Sequence, residues 1–271
     1  MQEKSVRELS ARLSCALDWP REFVGIRFLF TEEAYQRTRA QELRRPIHYC
    51  QMVKAATCGH AIKASASTHG CPAAARALGI VEVGEMHRSG RTAFSNCLYH
   101  DFGTAKNARD RQTICDHVAF GVLVKPLPQY RDDEMPPHVI QVITNPYNAM
   151  RLIQGYSYYY SVRTAFKFSG LQALCAESTA YPYMANDINL SLLCGGTRKF
   201  CQWHDDELAV SIPFSKFAQT VEGTLRTMNL EDPDEKKAIA RERLRQNGME
   251  AEFPLQDGFH YCTMERSKTP L

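Results

Sequence analysis

Apolar residues recur along this chain with two periods, and their alternation sets out a series of short helices and strands. In residues 5–17, Val6, Leu9, Leu13, Ala16 and Leu17 share one helical face, and Trp19-Pro20 ends the run. Residues 23–30 are rich in β-branched and aromatic side chains and predict a strand. Thr31 then caps a polar helix over 32–44, and after Pro46 a short helix covers 49–56 and stops near Gly59. A strand of small residues at 61–67 runs into Gly70-Cys71-Pro72, where Pro72 suits the first turn of a helix over 73–78. Further strands are predicted at 92–99 and 118–124, on either side of a polar helix at 105–113. Pro126, Pro128, Pro136 and Pro137, with the charges at 131–134, read as a linker.

After the linker the order repeats. A strand at 139–144 leads to a helix over 148–154, and a strand at 162–168 leads through Gly170 to Cys175. A strand at 189–193 then leads to Cys194, a polar segment over 197–206 and a strand at 208–212. Set side by side, 21–130 and 136–230 match element for element, with Cys71 opposite Cys175 and Cys97 opposite Cys194. The pattern predicts an α/β fold, with α+β as the alternative, built from mixed sheets and short helices. Two similar halves would form one unit over 1–230, followed by a C-terminal helix and tail over 231–271. Toward that end, Ser215 caps a helix over 216–228, and a charged helix runs from Asp232-Pro233 to Gly248.

Composition narrows the function classes. The 33 basic and 30 acidic residues leave a net charge of only +3, and no basic stretch is interleaved with aromatics, which argues against nucleic-acid binding. The first 20 residues lack the apolar core of a signal peptide, and the longest apolar run, 118–124, is far too short for a membrane span. A reducing cytoplasm is the expected setting, with no membrane partner. There the ten cysteines stay free, so they serve metal binding, catalysis or plain burial, and burial is the ordinary fate of any one of them. The chain has no phosphate-binding Gly-rich loop, no His-Glu-x-x-His and no Cys-x-x-Cys.

Certain cysteines nevertheless hold special backbone positions. Cys50 opens a short helix, and Cys71 precedes one, where free N–H groups favour a thiolate. Cys175 follows a predicted strand, and Cys194 leads into Gly195-Gly196-Thr-Arg198. The two glycines admit close backbone approach to something bulky, and Arg198 could balance negative charge; equally, they could be a tight turn and a surface ion pair.

The chain resembles the ArCR family, a domain of unknown function (number 169), over most of 20–230. The resemblance is carried by Tyr49-Cys-Gln-Met-Val-Lys-Ala-Ala56, Cys71-Pro-Ala-Ala-Ala75 with Leu78-Gly79, Val124-Lys-Pro-Leu127 and Asn145-Pro-Tyr-Asn-Ala-Met-Arg-Leu152. Its most specific part is Cys194-x-Gly-x-Arg198, followed by Glu207 and Ile212-Pro213. The resemblance implies cysteines recurring at the positions of Cys50, Cys71, Cys175 and Cys194. It implies no activity. Tyr147 stands where the family pattern has Gln, which would alter the ligand if that segment lined a pocket.

Four such thiolates can hold a 4Fe–4S cluster or a zinc ion, and the small residues beside them (Gly70, Ala73, Gly195, Gly196) favour the bulkier cluster. The leading expectation is an iron–sulfur protein with Cys50, Cys71, Cys175 and Cys194 as ligands and Arg198 nearby. It would serve electron transfer to a redox partner protein or a redox reaction on a bound small molecule. Cys58, Cys97, Cys201 or one of His60, His69 and His100 could replace a ligand, whereas Cys15, Cys115 and Cys262 read as structural. Two alternatives stand beside it. One is a thiol enzyme with Cys71 or Cys194 as nucleophile. The other is a non-catalytic binder of a flat organic cofactor, a tetrapyrrole or flavin, on the belt of Tyr147, Tyr156, Tyr158, Tyr159, Tyr160, Tyr181 and Tyr183. Trp203-His-Asp-Asp-Glu207 could ligate a metal, but acidic residues are routine in turns before strands.

Overall fold

The predicted strands join, among the described residues, into one seven-stranded sheet with the order β2-β3-β4-β1-β5-β7-β6. The computed structural model describes residues 4–43, 45–162, 165–249 and 255. The strands are β1 (Val24–Leu29), β2 (Gln41–Glu42), β3 (Ile62–Ser65), β4 (Gly121–Pro126), β5 (Val139–Thr144), β6 (Asn189–Ser191) and β7 (Leu208–Pro213). Only the edge pair β2–β3 is parallel. The helices are α1 (Val6–Ala16), α2 (Glu32–Arg37), α3 (Tyr49–Thr57), α4 (Pro72–Ala77), α5 (Glu85–Arg88), α6 (Arg91–Ser95) and α7 (Phe102–Arg111). They continue with α8 (Pro146–Tyr160), α9 (Tyr181–Ala185), α10 (Gly195–Cys201), α11 (Phe217–Arg226), α12 (Met228–Glu231) and α13 (Asp234–Gln246), and a π-helical segment spans Ala173–Ala180. The fold is α/β, with a mixed sheet and short helices.

At the centre, β1 pairs with β4 on one side and β5 on the other, so that Ile26 lies opposite both Val124 and Val139. Outward from the β1–β5 pair, β4 and β3 occupy the same places as β7 and β6. The topology therefore matches α3 with the π-helical segment and α4 with α10. Cys50 corresponds to Cys175, and Cys71 to Cys194. The pairing read from sequence is displaced from this because it counts two strands that do not form. Residues 92–99 hold α6, which starts after Gly90 in the left-handed region (φ +80°) and packs with α5 and α7. Residues 165–168 are not a strand either. The Asn189 side chain replaces a ladder there, accepting from Lys167 N–H at 2.9 Å and donating to Lys167 O at 2.8 Å.

Other boundaries also differ. The helix expected over 32–44 stops at Arg37, where the Lys63 ammonium donates to Tyr35 O and Thr38 O. The linker is no spacer: Leu127 donates to Phe23 O, and Tyr130 is buried on the sheet. The C-terminal tail with Cys262 lies outside the described residues.

Both sheet faces are covered. Val24, Ile26 and Phe28 of β1, Val122 and Val124 of β4, and Val139 and Ile143 of β5 pack beneath α3, α4 and the π-helical segment. Ile140, Val142, Val210 and Ile212 point the other way, under α1, α8 and α11. Alternation of period two thus divides the strands between two apolar layers.

On that second face, α8 and α11 meet through glycine. A Cβ on Gly223 would lie 2.1 Å from Gly155 O, so this contact admits no side chain. Gly223→Ala is expected to destabilise the fold by about 1–3 kcal/mol, the usual cost of overpacking a tight contact. Urea unfolding checks this; an unchanged midpoint would contradict the packing described.

Candidate functional site

Four short segments converge over the first face, and each carries one of the predicted cysteines. The α3 helix begins at Tyr49 because His48 and Gln51 cap it reciprocally, with His48 N–H donating to Gln51 Oε1 at 2.9 Å. This puts Cys50 in the first turn. The neighbouring Tyr49 is buried, and its hydroxyl meets Thr179 Oγ1 at 2.8 Å, tying α3 to the π-helical segment.

The loop before α4 is tied to the same helix. Ile47 bridges His69, and Gly70 N–H donates to Ile47 O at 2.8 Å. A Cβ at Gly70 would sit 2.9 Å from the Ile47 carbonyl carbon, so the approach requires glycine. Cys71 then becomes the N-cap of α4, with Pro72 at its first position.

Buried side chains hold the π-helical segment to the sheet, chief among them Gln141. Gln141 of β5 donates from Nε2 to Leu174 O (3.0 Å), Ser178 O (2.9 Å) and Thr179 Oγ1 (2.7 Å). Thr179 Oγ1 donates in turn to Leu174 O, five residues back, at 2.7 Å. Such bulges recur at functional sites because they re-aim side chains without ending the helix. Residues in the left-handed region introduce the second pair of cysteines: Gln172 (φ +53°) precedes Cys175, and Leu193 (φ +66°) precedes Cys194, the N-cap of α10.

The packing crosses between the two parts of the chain, with α10 against α3 and α4 against the π-helical segment. Burial raises the Cys71 pKa above that of an ordinary thiol, and Cys50 and Cys194 raise it further. Burial likewise raises Cys175 well above the usual thiol value, with added contributions from Cys71, Cys194 and Cys50. The four sulfurs therefore lie within electrostatic reach of one another. Among the described residues, however, no group of three or more His, Cys, Asp or Glu is drawn together tightly enough to hold a metal ion.

A fifth cysteine belongs here. The Cys201 thiol beside Cys50 lowers the Cys50 pKa below that of an ordinary thiol, against the cost of burial. Cys201 itself is raised by the same contact. Thr197 and Cys201 are one turn apart on α10, a spacing visible in the sequence. The thiolate expected at Cys71 is corrected: N–H groups of Ala73 and Ala74 favour it, but burial outweighs them in so short a helix. Thiolate-favouring surroundings are at Cys50 instead.

His69 also joins the site. It is buried, its Nδ1 accepts the Cys71 N–H at 3.3 Å, and burial lowers its pKa to about 4. With Nδ1 accepting, the neutral ring carries its proton on Nε2, which has no partner and is a donor rather than a metal ligand.

Other predicted residues do different work. Arg198 donates to His204 O (2.7 Å), Leu192 O (2.9 Å) and Glu207 O (3.0 Å), so its charge holds the loop around α10. Gly195 and Gly196 are exposed beside Cys194; a Cβ on Gly195 would meet nothing within 4 Å, and one on Gly196 only Cys194 Sγ at 4.0 Å. Glu207 of the acidic turn is paired with Arg21, and Trp203 lies between Lys54 and Arg21. Tyr147 binds Asp232, which also pairs with buried Arg151 at 2.9 Å. The tyrosines form no common floor: Tyr156 meets Asp187, while Tyr183 packs on Phe28. Cys58 and Cys97 are exposed, and Cys15 and Cys115 are buried.

The fold is α/β, with Cys50, Cys71, Cys175 and Cys194 on segments that pack over one face of its sheet. The chain belongs to the ArCR family, described as uncharacterised, whose profile matches residues 12–223. It is 26% identical over 227 residues to an uncharacterised protein of Methanocaldococcus jannaschii, covering 82% of this chain and 94% of that one. No solved structure matches. Among the described residues no helix is long and apolar enough to cross a membrane.

In metal-free protein, iodoacetamide should alkylate Cys50 with a midpoint below that of an ordinary thiol, slowly below it and fast above it. Cys201→Ala should move that midpoint upward, because the neighbouring thiol that favours the Cys50 thiolate is lost. Peptide mapping after short pulses reads both effects, and an unchanged profile in the variant would rule out the pairing.

Proposed function

We propose that this is a cysteine-ligated iron–sulfur protein, with Cys50, Cys71, Cys175 and Cys194 holding a 4Fe–4S cluster. The observation that carries this reading is that these four cysteines stand on four separate segments that pack against one another on one face of the sheet. A cluster is preferred to one zinc ion because it asks less of four ligands that come from separate segments. Zinc draws four thiolates to about 2.3 Å from a common centre, whereas a cluster spreads them around its corners. Open space at Gly195 and Gly196 leaves room beside Cys194.

The protein's own residues would do the following. Cys50, already disposed toward the thiolate, would ligate first. Cys71, Cys194 and the buried Cys175 would lose their protons only as iron binds, since iron offsets the burial that keeps them neutral. The N–H groups of Ala73, Ala74 and Ala176 and the Nε2–H of His69 would donate toward the sulfurs, and hydrogen bonds of that kind tune a cluster's potential. The cluster would supply one-electron transfer, to a partner protein or to a small molecule bound nearby.

Protein purified without oxygen from iron-replete cells should be brown, with about four iron and four acid-labile sulfides per chain. Cys175→Ser and Cys194→Ser should each lose most of both, while Cys58→Ser keeps them. Folded, colourless, iron-free protein from that preparation would overturn the reading.

A further inference from the structure

A cavity of about 580 Å³ lies beside the thiol site, within the range of small-molecule pockets. Its wall includes Ala73 and Arg76 of α4 and Gln172 and Ala176 around the π-helical segment, the two elements that carry Cys71 and Cys175. The opposite wall is formed by α5–α7, which include the stretch where a strand is expected from sequence.

Two arginines of this wall lack counter-charges among the described residues. Arg109 of α7 is only 9% exposed; its Nη1 donates to Gln112, but Nε and Nη2 are buried without a partner. Arg76 has a buried Nε in the same condition. Burial and Arg76 together lower the Arg109 pKa, which shows the two guanidinium groups repelling one another. His87 adds a buried Nε2 without a partner, and burial with the two arginines lowers its pKa to about 4.

The remaining charged groups do not relieve this repulsion. Glu177 is the wall's carboxylate, and neutral donors occupy it: Ser169 N–H (2.6 Å), Gly170 N–H (3.1 Å) and the Ser191 hydroxyl. Arg111 and Lys167 are exposed at the rim and add positive charge. The contrast is with Arg151, fully buried on the opposite face, where all three guanidinium nitrogens are satisfied by Asp232, Gln154, Thr227 and Thr224. A buried cation is normally paired, so two unpaired ones facing a cavity mark a place for an anion. The rest of the lining is largely apolar, with Leu98, Phe166, Leu171 and Tyr181, which calls for an organic body rather than a bare ion.

We propose that this cavity binds a small organic anion, with its carboxylate or phosphate held by Arg76 and Arg109 and its apolar body against Phe166, Leu171 and Tyr181. The pocket stands on its own residues. That its occupant reacts at the thiol site rests on the iron–sulfur reading.

Calorimetric titration of protein purified without oxygen from iron-replete cells, with benzoate, phenyl phosphate and benzyl alcohol, tests the site, with iron measured on the same sample. At least one anion should bind and the neutral alcohol should not; the preferred anion separates carboxylate from phosphate recognition. Arg109→Gln and Arg76→Gln should each weaken anion binding at least tenfold. Neither should lower the thermal midpoint of ligand-free protein, because each removes a repulsive buried charge. No heat with either anion, equal binding of benzyl alcohol, or undiminished binding in both folded variants would overturn the proposal. An iron-free sample that still binds the anions would end the cluster reading and keep the pocket.

Discussion

The antiparallel pairing of β1 with β5 is the constraint on which the rest depends. It joins two sets of strands into one sheet and orients them so that both lay their cysteine-bearing segments on the same face. Had each set closed on its own, Cys50 and Cys71 would lie apart from Cys175 and Cys194. Gln141 carries this constraint from the backbone to the site. It lies on β5, at the seam, and fixes the segment bearing Cys175 through three hydrogen bonds. Because Gln141 is buried, any loss of those bonds would leave carbonyls of the π-helical segment unsatisfied, at a cost of about 1–3 kcal/mol each.

The electrostatics of the site follow from its burial. Thiols packed together away from water suppress one another's ionisation, which keeps Cys71 and Cys175 neutral unless a cation joins them. The adjoining cavity presents the opposite condition, with guanidinium groups that lack anions. The two are linked: Cys175 is among the groups that act on Arg109. A metal at the thiols and an anion at the arginines would each relieve a local excess. Their adjacency along α4 and the π-helical segment is the physical basis for treating them as neighbouring parts of one site.

Much of the fold is legible in the sequence because strong periodicity fixes strands such as 139–144 and 208–212 locally. The four cysteines are legible too, through their positions at helix starts and through family resemblance. What is not legible depends on long-range partners. The Thr92–Tyr99 stretch has strand-like composition, yet a left-handed glycine and packing against α7 make it begin as a helix. Residues 165–168 form no strand, and Lys167 pairs with one side chain, Asn189. Those two misassigned strands shift the correspondence between the two parts of the chain. Cys201 and Thr197 are recoverable from their spacing on α10, whereas His69 and Gln141 gain their roles only through tertiary contact. Arg198 looks like an anion partner in isolation, and only the carbonyls gathered around it show that it is a brace.

The central claim is that four cysteines from both parts of the chain share one polynuclear centre. X-ray absorption at the iron edge of anaerobically prepared protein tests it most directly. Iron held in such a centre should show a shell of sulfur neighbours alone, with short iron–iron scattering that weakens in Cys175→Ser. A shell dominated by nitrogen or oxygen, or sulfur without iron–iron scattering, would contradict it.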